Sequence, residues 1–227
     1  MKLSVVMPVY NEIKTIKEII DRIKATKLNK EIIIVEDPSS DGTREFLKTI
    51  SDKNIKIIFN NSRTGKGAAI KTALNHVSGD ITIIQDADLE YNPNDYGRLI
   101  KPILDGKADV VYGTRFPKGG SHPKITNPFF FWNRVLTFTT NSLYGTNITD
   151  EPTCYKAFRT SLLKSINLKC KRFEFCPEVT AKVSKRGYKI HEVPISYEPR
   201  SIAEGKKVRW QDGIECLWAL IKYRFAD

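Results

Sequence analysis

The sequence predicts an α/β fold: a mostly parallel central sheet flanked by helices and interrupted by an amphipathic helical insertion. Three observations carry this. Through the first half, short Val/Ile-rich runs alternate with stretches of helical periodicity, which is the pattern of parallel strands joined by crossover helices. The strand runs are four to seven residues long and bounded by turn residues, and their regular succession with helices implies a sheet covered on both faces. Beyond residue 112 the rhythm breaks, and a loop rich in Gly and Pro leads into a crowd of aromatic residues.

The elements follow in order. Leu3–Val9 is the first strand, and Ile13, Ile16, Ile19, Ile20 and Ile23 then recur at helical spacing. Strands at 31–35, 55–59, 81–85 and 109–112 are separated by helices at 43–50, 66–77 and 93–104, each run bounded by turn residues. The second half holds a polar loop at 119–127, an aromatic helix at 128–144, a strand at 153–158, a helix at 174–186, a strand at 189–197 and a closing helix at 208–225. No internal repeat or low-complexity linker divides the 227 residues, so a single domain is expected over 1–227. Ligands of such sheets bind beyond the carboxyl ends of the strands, which directs attention to the loops after Val9, Val35, Gln85 and Tyr112.

With 41% hydrophobic and 28% charged residues the chain can bury a core, which excludes a disordered or fibrous protein. The net charge of +11 is unevenly placed. Residues 1–110 hold 17 Lys+Arg against 16 Asp+Glu, whereas residues 111–227 hold 20 against 10. The excess in the second half suits a polyanion: nucleic acid, an anionic membrane surface or substrate phosphates; a basic face kept for solubility is the plainer reading. Cys154, Cys170, Cys176 and Cys216 have neither zinc-site nor disulfide-scaffold spacing and read as reduced, packed thiols. The first residues run straight into a strand and no apolar run approaches the ~20 residues that span a bilayer, so a cytoplasmic chain without leader or span is expected. A chain cut before spanning segments also fits.

Chemistry concentrates after the fourth strand. Asp86, Asp88 and Glu90 alternate, so an extended turn presents three carboxylates to one side, hard oxygen ligands for Mg²⁺ or Mn²⁺. Helix capping by Asp88 explains only one of the three. After the second strand, Asp41 or Thr43 is placed to cap a helix, whereas Asp37 at the strand end can accept from a base N–H or a ribose hydroxyl, or serve the turn. Gly65-Lys66-Gly67 opens a helix whose N-terminus, with Lys66 and Arg63, can attract phosphate, but neither a P-loop nor a dinucleotide fingerprint is present. The histidines show no metal spacing, and no nucleophile elbow appears. Arg115, Arg200, Lys206, Lys207 and Arg209 supply cations that can close over a diphosphate.

Taken together, VVMPVYNE at 5–12, IVEDPSSDGT at 34–43, GKGA at 65–68, GDITIIQDADLE at 79–90, YGTRF at 112–116, DEPTCYKAF at 150–158 and the 200–209 loop resemble family 2 glycosyltransferases of the GT-A fold. Within them they resemble the polyprenyl-phosphate glycosyltransferases such as the dolichyl-phosphate mannose synthases. The resemblance spans nearly the whole chain and rests on the order of seven motifs.

It implies a GT-A catalytic domain with a nucleotide-binding half at 1–112 and an acceptor-binding half at 113–227, the latter carrying an interfacial helix at 128–144. It implies transfer of a hexose, with inversion, from a UDP- or GDP-sugar to a membrane-held acceptor, a dolichyl or undecaprenyl phosphate, by a protein peripheral to the cytoplasmic membrane face. Pro8, Tyr10, Glu12 and Asp37 match the nucleoside-binding set, with Lys66 and Ala87 beside the nucleotide sugar; Asp86 and Asp88 match the metal-binding DxD, and Glu90 a third ligand. Arg115, Arg200 and Lys206 or Lys207 match the groups that hold the diphosphate and acceptor phosphate, and Arg134 an acceptor-phosphate arginine. If the acceptor is a hydroxyl, Asp150 is the candidate base, though it can equally be a turn acid. Glu36 replaces the first acid of the usual Val-Asp-Asp, and Thr153-Cys154-Tyr155-Lys156 stands where Ser-Gly-Phe-Arg is usual. A soluble or glycan acceptor is the second enzymatic reading. A nucleic-acid module is disfavoured for want of any binding motif.

Overall fold

Val5, Val6 and Met7 are fully buried, although neighbouring side chains in a strand point to opposite faces, so the first strand must be covered on both sides. The computed structural model describes residues 1–116, 127–200, 205, 207 and 210–226. Its sheet has seven strands: β1 (Leu3–Val9), β2 (Lys30–Glu36), β3 (Ile55–Phe59), β4 (Ile81–Ile84), β5 (Val110–Thr114), β6 (Lys156–Arg159) and β7 (Ile190–Pro194), in the order β3-β2-β1-β4-β6-β5-β7. All neighbours are parallel except β6, which runs antiparallel between β4 and β5.

One face is covered by α1 (Ile16–Ala25), α2 (Thr43–Lys48) and α4 (Tyr96–Leu104). There the isoleucines of α1, Leu47, and Leu99, Ile100 and Ile103 of α4 meet Leu3, Val5 and Met7 of β1. The other face is covered by α3 (Lys66–Leu74), α6 (Thr160–Ser165) and α7 (Phe175–Lys185), which pack Ile70, Leu163 and Val179 with Val6, Ile33 and Val35. A third layer, α5 (Asn127–Tyr144) and α8 (Trp210–Phe225), packs pairwise and on α7. Gly213 lets α8 approach closely, because a Cβ there would come within 2.7 Å of the Trp132 ring.

The second half departs from the sequence reading at β6 and α6. The strand expected at 153–158 begins only at Lys156 and is antiparallel, because the chain returns from α5 on the carboxyl-end side of the sheet and must run back down. Burial of Lys156 is tolerated because its Nζ donates to the Glu151 carbonyl at 2.6 Å and lies 3.7 Å from the Tyr112 ring centroid. Helix α6, a six-residue element, was not expected. The loop foreseen at 119–127 and the start of the last helix at 208 lie, apart from Asn127, outside the described residues.

Candidate functional site

The carboxyl ends of β1, β2, β4 and β5 open onto a cavity of about 880 Å³, closed on its far side by α5, α7 and α8. Pro8, Tyr10, Glu12, Asp37, Lys66, Asp86, Ala87, Asp88, Glu90, Arg115, Arg200 and Lys207, from the residues singled out in the sequence, all line it. Lys206 lies outside the described residues.

The β1–β2 end is built by backbone-directed carboxylates. Asp37 accepts from Asn60 Nδ2 at 2.9 Å, from Thr64 N–H and Oγ1 at 2.9 and 2.8 Å and from Gly65 N–H at 2.7 Å, so four donors of the chain occupy its oxygens. It anchors the 60–65 loop. Gly65 has φ +89°, and a Cβ there would meet the Lys171 carbonyl at 2.6 Å, which explains a glycine at the start of α3. The Arg63 guanidinium stacks over Tyr10, 4.1 Å from the ring centroid, giving the cavity an aromatic-cationic wall. Asp41 accepts from Thr43 N–H and Oγ1 and from Ile13 N–H and is a turn acid; the N-cap of α2 is Gly42, not Asp41 or Thr43.

The acidic centre is neutralised by the chain's own cations. Lys66 Nζ lies 2.6 Å from Asp86 and 2.9 Å from Cys154 Sγ. Arg200 binds both oxygens of Glu12 at 3.0 Å and reaches Asp88 at 3.2 Å, and Lys207 binds Glu12 at 2.6 Å and the Tyr10 carbonyl. Burial works against ionisation of Asp86, but Lys66, Cys154 and Arg200 together outweigh it and hold the carboxyl below its ordinary range. Asp88 goes the other way: burial, then the charges of Asp86 and Glu90, push it up to about 7 against the pull of Arg200.

Glu90 accepts from the Tyr197 hydroxyl at 3.0 Å and from the Arg200 N–H at 2.8 Å, tying the segment after β7 to the acidic turn. Among the described residues no three His, Cys, Asp or Glu side chains are gathered as a metal site. The expected trio is therefore not assembled. Asp86 and Asp88 do fit a divalent cation of the Mg²⁺ kind, which takes one or two carboxylates and completes its shell with phosphate and water, and such a cation would relieve the crowding that raises Asp88.

Two residues are placed differently from their expected roles. Asp150 has no exposed surface and does not line the cavity; Arg115 holds it through Nε and NH2 at 2.7 Å each and through its N–H at 2.9 Å, and Asn133 donates to it at 2.6 Å. Its oxygens orient Arg115, whose guanidinium also lies 4.9 Å from the Tyr197 ring centroid. Arg134 is on the exposed side of α5, 6.0 Å from the Phe130 ring centroid, and outside the lining. The cavity instead takes Trp132 and Asn133 from this helix.

Sequence reasoning also passed over Tyr197, Cys176 and the outer face of α8. Trp210, Ile214, Trp218, Ile221 and Phe225 are all exposed and recur at helical spacing, with Phe225 at 83% and Trp218 at 63%. Phe131 and Phe138 are exposed in the same way on α5. The signal for α8 is present in the sequence as that period. No helix among the described residues is long and apolar enough to cross a membrane.

A model of glycosyl transferase family 2 matches residues 4–166. The chain is 31% identical over 217 residues to the dolichol-phosphate mannosyltransferase of Pyrococcus furiosus, covering 91% of this chain but 59% of that protein's length. It is 28% identical to the undecaprenyl-phosphate mannosyltransferase of Micrococcus luteus, with 91% and 87% covered. It is 30% identical to the UDP-N-acetylglucosamine–dolichyl-phosphate N-acetylglucosaminyltransferase of Methanococcus voltae, with 91% and 90% covered. In fold it is similar to Mycobacterium tuberculosis glucosyl-3-phosphoglycerate synthase bound to UDP, with a TM-score of 0.77, 18% identity, and 100% and 81% of the two chains covered. The same enzyme with Mn²⁺, UDP-glucose and phosphoglyceric acid gives 0.74 at 18% identity, covering 100% and 80%.

Proposed function

The chain belongs to glycosyl transferase family 2, and from that premise we propose that it transfers a hexosyl group, with inversion and with a divalent metal, from a UDP- or GDP-sugar to a polyprenyl phosphate at a membrane surface. The observation that carries this is the pairing, in one cavity, of Asp86 and Asp88 with Arg115, Arg200 and Lys207. Mg²⁺ or Mn²⁺ held by Asp86 and Asp88 would neutralise the diphosphate as it leaves.

The chain's residues divide the remaining work. Tyr10 and Arg63 offer a stacking wall for the base, and the 60–65 loop that Asp37 anchors shapes that end. Arg200 and Lys207 exchange Glu12 and Asp88 for donor phosphate oxygens, which costs little because both partners are charged and close. Arg115, steadied by Asp150, fixes the acceptor phosphate so that its oxygen attacks the anomeric carbon from the side opposite the diphosphate. The C–O bond to the donor breaks as the new one forms, and no proton moves, because the acceptor is already an anion. Asp150, buried and fully bonded, is a positioning residue here and not a base. The exposed aromatic and aliphatic side chains of α5 and α8 suit the headgroup region, where the acceptor resides.

Thermal unfolding with UDP and GDP, each with and without Mn²⁺, tests the nucleotide and metal together, because only a ligand of the folded state raises the midpoint. One nucleotide should stabilise the chain more with Mn²⁺ than without. In Asp88→Asn that Mn²⁺-dependent affinity should fall by about tenfold or more, a loss of at least ~1.4 kcal/mol. Indifference to both nucleotides overturns the reading. Turnover with a soluble hydroxyl acceptor but none with polyprenyl phosphate would replace the acceptor.

A further inference from the structure

Gln85 is fully buried behind the acidic turn and does not line the cavity. Its N–H donates to the Val6 carbonyl at 2.9 Å, so the hydrogen bonding between β1 and β4 runs one residue beyond Ile84. Its side-chain nitrogen donates to the Asp86 carbonyl at 2.9 Å. A carbonyl can only accept, so the other end of the amide is the oxygen, and it accepts from the Tyr96 hydroxyl at 2.6 Å and the Tyr155 hydroxyl at 2.7 Å. Tyr96 opens α4 and Tyr155 precedes β6; both are fully buried, with ring centroids 5.8 Å apart. Three parts of the fold thus meet on one amide.

The next carbonyl is held as well. Thr15, just ahead of α1, donates through Oγ1 to the Ala87 carbonyl at 2.9 Å. Each of the two peptide groups between Asp86 and Asp88 is therefore fixed by a side chain from outside the cavity. Packing does not ask for the polar groups around Gln85. Leu at 85 with Phe at 96 and 155 would fill nearly the same volume, and replacing all members of a buried hydrogen-bonded set by apolar groups of similar shape is close to neutral for stability. What the polar trio adds is the one bond that leaves it, to Asp86.

We propose that Gln85 is a positioning residue for the acidic turn: it keeps the backbone between Asp86 and Asp88 from rotating, so that both carboxylates stay available to one divalent cation. The proposal rests on the reading of these two acids as metal ligands. Lys66 draws Asp86 and Arg200 draws Asp88, and free rotation of the peptide between them would let each acid follow its own cation. The two phenols polarise the amide through its oxygen and strengthen the bond that its nitrogen makes. Outer partners of this kind orient the groups that touch a metal, and their loss costs about 10–100-fold in metal affinity.

The test measures Mn²⁺ binding to the full chain with saturating UDP or GDP, from the electron paramagnetic resonance of free Mn²⁺, beside thermal unfolding midpoints. The triple variant Gln85→Leu, Tyr96→Phe, Tyr155→Phe removes the network without leaving a side-chain polar group unpaired. Its midpoint should stay close to the parent's while its Mn²⁺ affinity falls by about tenfold or more. The double variant Tyr96→Phe, Tyr155→Phe keeps the bond to Asp86 and leaves the Gln85 oxygen unpaired. It should melt earlier than the parent and hold Mn²⁺ within about threefold of it. A triple variant that binds Mn²⁺ like the parent, or that does not fold, makes Gln85 a residue of the core and overturns the proposal. A double variant that loses as much affinity as the triple also overturns it, because the bond to Asp86 is then not what matters. A parent chain that binds no Mn²⁺ with either nucleotide overturns the metal reading, and this proposal with it; that failure shows in the parent alone, before any variant is compared.

Discussion

Asp150 and Glu151 are adjacent acids with different partners. The first is paired with Arg115 at 2.7 Å, and replacing it with Asn leaves a buried guanidinium without its partner, which should lower stability by about 3–5 kcal/mol. Turnover of the folded Asp150→Asn chain should fall at every pH with the pH profile unmoved, as measured by initial rates from pH 5 to 9. A limb of the profile that disappears in the variant would make Asp150 the base. Glu151 is fully buried, one of its oxygens has no hydrogen-bond partner, and burial, helped by Cys176 and Asp150 against Lys156, pushes its carboxyl up to about 8. The unfolded chain loses this proton near 4.5, so between those values the folded state binds more protons and stability falls as pH rises. Urea midpoints for Glu151→Gln should therefore show a flatter decline from pH 5 to 8 than those of the parent. Which residues would line the cavity was legible in large part, because strand ends in a parallel sheet converge: Asp86, Asp88, Arg115 and Arg200 were all named from sequence. Pairing was not legible. Nothing in the spacing of 115 and 150 says that the acid belongs to the arginine, and Asp37 reads equally as a ligand until Asn60, Thr64 and Gly65 are seen around it.

Helices α5 and α8 show how far an element can be read. Aromatic content marked α5 as special, but the choice between core and surface depends on what packs beside it, and the answer is divided. Trp132 faces Gly213 and the cavity, whereas Phe131 and Phe138 face outward. On α8 the outward set is longer and more regular. Trp218→Ser with Phe225→Ser removes exposed side chains only, so stability should be unchanged while co-sedimentation with anionic vesicles falls by about tenfold or more. Equal binding by parent and variant would relieve α8 of this role. Gly213→Ala is the complementary change. A methyl group 2.7 Å from the Trp132 ring must push the helices apart, at a cost of about 1–3 kcal/mol, read as a lower unfolding midpoint.

At the scale of the molecule, the sheet was legible from short Val/Ile-rich runs between helical stretches, and β1 and β3 were placed to the residue. Strand direction was not, because Lys156–Arg159 carries no mark of whether it runs up or down; direction follows from where the preceding segment leaves the chain. That one reversed strand has a consequence for synthesis. As the chain emerges from the ribosome, β1 to β4 can pair in turn, but β5 has no neighbour until β6 has been made, and its second side stays open until β7 follows. Beside β4, the edge stays open until Lys156–Arg159 is threaded in, a non-local step of the kind that folds late. The wall bearing Asp37 and Asp86 is thus born early, while the seat of Arg115 waits for Asp150, and the cover formed by Arg200, Lys207 and α8 follows β7 in the chain. A nascent chain that has reached only β7 carries half a cavity.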